Sequence, residues 1–107
     1  MSLSKSISLV CLALALIVPS TALAYWTTPH TPVKVKVYGS GSFSIVLNGS
    51  TCSLTPDGSY FVSSGLGGAD RLLTVAMAGY LSGRTLNLSV TDNPTESRCD
   101  VTSIQIE

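Results

Sequence analysis

Charge is scarce in this sequence. Six lysines and arginines stand against six aspartates and glutamates in 107 residues, and the formal net charge is zero. There is no basic stripe of the kind a phosphate backbone requires, which argues against a nucleic-acid partner. Nor is there a polybasic helix suited to an anionic membrane surface. Histidine occurs once, as His30, and tryptophan once, as Trp26. A histidine metal pair is therefore missing, as are the partners that acid–base or nucleophilic catalysis needs. No cofactor motif and no metal-ligand spacing is present.

The one long apolar run is Ile7 to Val18. It is too short to cross a bilayer of about 30 Å as a permanent helix. Lys5 lies ahead of it, Pro19 and Ser20 break it, and Ala22-Leu23-Ala24 comes next with small residues at the positions a signal peptidase reads. Residues 1–24 are expected to be a cleaved export signal that takes Cys11 with it. A single domain from 25 to 107 remains, in the periplasm or secreted, with no membrane insertion. Its charges are Lys34, Lys36, Arg71, Arg84 and Arg98 against Asp57, Asp70, Asp92, Glu96, Asp100 and Glu107, a near-neutral balance.

Cys52 and Cys99 are the two cysteines left after processing. In an exported chain of this size a pair is expected to form one disulfide. Joining them closes a loop of roughly 47 residues and removes about 4 kcal/mol of unfolded-chain entropy in the simplest treatment. A two-cysteine metal site is the alternative, and it lacks histidine partners.

Period-two alternation dominates most of the remaining chain. Val33, Val35 and Val37 alternate with Lys34 and Lys36; Gly39 to Ser42 turns; Phe43, Ile45 and Leu47 resume the pattern, so 33–47 is a hairpin. Tyr25 to Thr31 is read as a lead-in whose Pro29, with Pro32 beyond it, bars a central strand. Thr55-Pro56-Asp57-Gly58 is a turn, and 59–64 a third strand with aromatics on both sides, which predicts cover on both faces. Leu86, Leu88 and Val90 mark a fourth strand. Cys99, Val101, Ile104 and Ile106 mark the last, with the alternation slipping near Thr102 and Ser103, where a bulge is expected.

Only one stretch reads as helix: GADRLLTVAMAGYLSGR, closing at Arg84. Leu73, Ala76, Met77 and Tyr80 recur at helical spacing, widened by Leu72 and Leu81. Asp70 suits the first turn, Gly83 the left-handed cap, and Arg84 the negative end. Ala76, Ala78 and Gly79 are small enough to permit close approach to another surface. The order β-β-β-α-β-β predicts an α+β, mostly β fold: a small five-stranded oligonucleotide/oligosaccharide-binding (OB-like) barrel whose helix plugs one end.

The run Ala78 to Arg84, the strand Leu86 to Val90 and the segment Cys99 to Ile106 resemble the C-terminal half of the binding (B) subunits of AB-type bacterial toxins, cholera-toxin-like or subtilase-cytotoxin-like. The likeness covers roughly residues 66–107. It implies a non-enzymatic module that recognises a glycan or cell-surface ligand, as a monomer or homo-oligomer. Cys52 lies mid-chain, whereas the cholera-type disulfide starts near the mature N-terminus. A periplasmic accessory or inhibitor protein that docks on another protein is the alternative.

Three residues are candidate ligand contacts. Trp26 offers a stacking face for a sugar, and Arg84 and Arg98 offer forks that match a carboxylate. His30 is expected to be solvent-exposed in the lead-in, and Asp57, Asp92 and Asp100 to sit in turns or beside cysteine as caps. Gly65 to Gly68 before the helix reads as a linker.

Overall fold

The computed structural model describes residues 23–107. The expected signal, residues 1–24, lies outside the described residues except for Leu23 and Ala24, both exposed. Six strands and one helix are arranged in chain order: β1 (Ala24–Trp26), β2 (Pro32–Val37), β3 (Phe43–Leu47), β4 (Tyr60–Val62), α1 (Ala69–Ser82), β5 (Leu86–Asn93) and β6 (Arg98–Ile106). A short 3₁₀ turn, Pro94–Glu96, joins the last two strands.

The strands form one open sheet in the order β1-β5-β6-β4-β3-β2, which corrects the expected closed five-stranded barrel. Two departures from the expectation account for this. The lead-in supplies an extra strand, β1, which pairs with β5 at an edge where the prolines beyond it remove no ladder bond. The helix does not plug a barrel end. It packs on the apolar face of the sheet against β2 and β6. All pairs are antiparallel except β4 with β6, which run parallel through Phe61 and Asp100.

Although open, the sheet is fastened at one end by its own chain. His30 exchanges both backbone bonds with Leu86 at the start of β5, at 3.0 and 2.8 Å, while the next carbonyl, of Thr31, accepts from Asn48 at the end of β3, at 2.8 Å. Neighbouring residues thus bind strands near opposite edges. The sheet must curl for that to happen, and the bend in the chain includes Thr28 at φ 64°, an uncommon value for a non-glycine residue.

The register explains which side chains are buried. Leu86 and Leu88 pair with Ile106 and Ile104, whereas Val90 pairs with Val101. Thr102 is the extra residue, so the bulge lies where the alternation slips. Without it, Ile104 and Ile106 would face the opposite side from Cys99 and Val101. Phe43, Ile45, Tyr60, Val62, Leu86, Leu88, Val90 and Val101 fill the core.

The helix presents a different stripe from the one its large residues suggest. Ala69, Ala76 and Gly79 are buried, with Leu72 and Leu73 packed beside them. Tyr80 is 41% exposed and Leu81 77% exposed. Small residues face the sheet because the axis lies close to it; Leu86 leaves no room for a side chain at position 79. Gly83 ends the helix in the left-handed conformation, its N–H donating to the Gly79 carbonyl.

Candidate functional site: the uncovered face and the disulfide clasp

Strand pleating divides the polar residues between two faces. On the face away from the core, one register row crosses all six strands: Lys36, Ser44, Phe61, Asp100, Thr91 and Ala24. Arg98 stands beside this row. Its Nε donates to Asp100 Oδ1 at 2.7 Å, and its guanidinium carbon lies 4.5 Å from the Phe61 ring centroid. Asn93 Nδ2 donates to the other Asp100 oxygen at 3.0 Å, so that carboxylate is held on both sides.

The Tyr38 ring lies 6.3 Å from Phe61, and the Lys36 ammonium 5.2 Å from Tyr38. Two cations thus bracket two aromatic rings. The cover expected over both faces of the third strand is complete on one face and partial on the other. Tyr60 and Val62 enter the core, while Phe61 is flanked by Arg98 and Tyr38 and stays half-buried.

Trp26 lies on this same outer face, opposite Ser89, and is 50% exposed. It stands two strands and about 13 Å of strand length away from the Arg98 row. Arg84 does not join them. Its Nε donates to the Glu107 carbonyl at 3.3 Å, at the far end of β6 and about 30 Å of strand from Arg98. The two arginines cannot grip one small ligand.

The disulfide between Cys52 and Cys99 is formed, with Cα atoms 6.0 Å apart. It ties the β3–β4 loop to the start of β6. Asp92 pairs with Cys99 across β5 and β6, and its Oδ1 lies 3.4 Å from Cys99 Sγ. A disulfide sulfur has no hydrogen to give, so this is a bare carboxylate–sulfur contact. The Tyr25 hydroxyl donates to the same Oδ1 at 2.9 Å and lies 4.0 Å from the sulfur. Burial pushes the Tyr25 phenol well above its ordinary range, and the bond to Asp92 and its negative charge push it further. Asp92 and Asp100 are therefore strand residues rather than turn caps.

Asp57 does cap its turn. Its Oδ1 accepts from the Ser59 hydroxyl at 2.7 Å and the Ser59 N–H at 3.1 Å, and these bonds hold its carboxyl below the usual range. His30 is half-buried rather than free in solvent. Its Nδ1 lies 3.1 Å from the Asn48 carbonyl and its Nε2 3.1 Å from Thr28 Oγ1. It clamps the fastening point.

Among the described residues no group of three or more His, Cys, Asp or Glu side chains is arranged to hold a metal ion, and no helix is long and apolar enough to cross a membrane. Comparison with protein families, curated proteins and solved structures returned no match.

Proposed function

We propose that this chain is an exported, non-enzymatic binding module that takes a glycan or another cell-surface ligand on the uncovered face of its sheet. The observation that carries this reading is the composition of that face. The opposite face is closed by the helix and the core. This one presents Trp26, Tyr38, Phe61, Lys36 and Arg98 among hydroxyl and carboxamide groups, a mixture that stacks on sugar rings and hydrogen-bonds their hydroxyls. The resemblance of residues 66–107 to toxin B subunits points the same way, and the disulfide is compatible with an oxidising compartment outside the cytosol.

The test is a glycan array probed with the processed, oxidised chain, alongside its mass in solution. A bound sugar whose signal falls in Trp26→Ala and Arg98→Gln but not in Arg84→Gln supports the reading. No sugar bound, with a monomer in solution, removes it.

A second reading, an accessory or inhibitor protein docking on another protein, is favoured by β2. This edge strand leaves Val33 and Val37 about half exposed beside unpaired backbone groups. Recovery of one stoichiometric enzyme from periplasmic extract would support it.

A further inference from the structure

We propose that Asp92, held by Tyr25, guards the disulfide by resisting departure of the Cys99 sulfur. The two sulfurs have unequal surroundings. Cys52 belongs to the loop that lines an open cavity of about 310 Å³ with Thr51, Ser53, Thr55, Pro56, Asp57 and Gly58. Cys99 lies in the sheet, with the Asp92 carboxylate 3.4 Å and the Tyr25 hydroxyl 4.0 Å from its sulfur. Both cysteines are almost fully buried, at 2% and 1% exposure, so a reductant enters when the 51–58 loop opens and meets Cys52 first.

A thiolate attacking Cys52 Sγ forms a mixed disulfide there. The Sγ–Sγ bond breaks and its electron pair leaves on Cys99 Sγ. The second thiol of a dithiol reductant then displaces Cys52, so two electrons pass from the reductant to the protein. The rate depends on how well the leaving sulfur carries negative charge. Here that charge develops on a buried sulfur 3.4 Å from a carboxylate, and like charges this close repel. The hydroxyl of Tyr25 softens the effect by donating to that carboxylate. On the Cys52 side the charged group of the cavity wall is Asp57, whose carboxyl the Lys34 charge helps to hold low.

The experiment measures the reduction rate of the full oxidised chain by dithiothreitol at fixed pH, trapping thiols by alkylation and counting them by mass. Asp92→Asn is expected to react about tenfold faster. Asp92→Glu restores slow reduction. Tyr25→Phe, which keeps the ring but removes the donor, reacts more slowly than the parent. Opposite effects from two changes at one contact cannot come from loosened packing, which would speed both. An Asp92→Asn rate within twofold of the parent overturns the proposal, as does a faster Tyr25→Phe. If Asp92→Asn does not fold, the Tyr25→Phe result decides alone.

Discussion

Gly79 lies against Leu86 so closely that a Cβ on the glycine would come within 2.5 Å of Leu86 Cδ2. Leu86 is fully buried and cannot swing away. Helix propensity alone would reward Gly79→Ala by about 1 kcal/mol. Overpacking of about 1–3 kcal/mol opposes it. We expect Gly79→Ala to lower stability in urea unfolding, and the double variant Gly79→Ala, Leu86→Val to recover part of the loss.

Inserting one residue after Thr102 should be more damaging than any substitution of Thr102. That residue is exposed, so Thr102→Ala is expected to change stability by less than about 0.5 kcal/mol. A second extra residue instead turns Ile104 and Ile106 toward solvent and their polar neighbours inward. Soluble yield and far-ultraviolet circular dichroism of the two variants check this contrast.

Replacing both cysteines by serine frees a loop spanning 47 positions, and about 4 kcal/mol of stability should go with it. Thiol titration of the parent should find neither Cys52 nor Cys99 reactive, folded or denatured, until a reductant is added.

Tyr25 should ionise at a higher pH than a free tyrosine. Its folded-state value lies above the ordinary 10.0, so its contribution to stability is complete below that pH and is lost as pH rises through the higher folded value. Asp92→Asn removes the neighbouring charge and should bring the titration part of the way back, as an ultraviolet titration would read. Asp57 runs the other way: its lowered value stabilises above about 3.8 and is lost as acid protonates it, and Ser59→Ala should weaken that acid dependence.

The strands are legible wherever alternation survives over several residues. Val33 to Leu47 shows the hairpin, and the slip between Val101 and Ile104 shows the bulge, because a two-residue period records its own interruption. β1 is not legible. Three residues carry no period, and the prolines beyond them speak only against a central position. Spacing finds the helix and part of its buried face, Ala76 with Leu72 and Leu73 beside it. It also assigns Tyr80 and Leu81 to that face, and they stay exposed because the close approach turns Gly79 to the sheet.

Of the candidate contacts, Arg98 and Trp26 share a face while Arg84 does not, a distinction that requires the strand order. Arg98 and Asp100 stand two apart on one strand, so their pairing is readable in principle. The contact of Asp92 with Cys99 depends on cross-strand register, which no local pattern states.

The N-terminal fastening has a kinetic consequence. Tyr25 and Asp92 meet across 67 positions, so the earliest strand has no partner until nearly the whole chain is available. Contacts this distant make for slow folding. While the chain is incomplete, the hairpin of β2 and β3 stands alone with Phe43 and Ile45 unprotected. Until its last fifteen or so residues are available, the chain thus carries unpaired strands of the kind that aggregate.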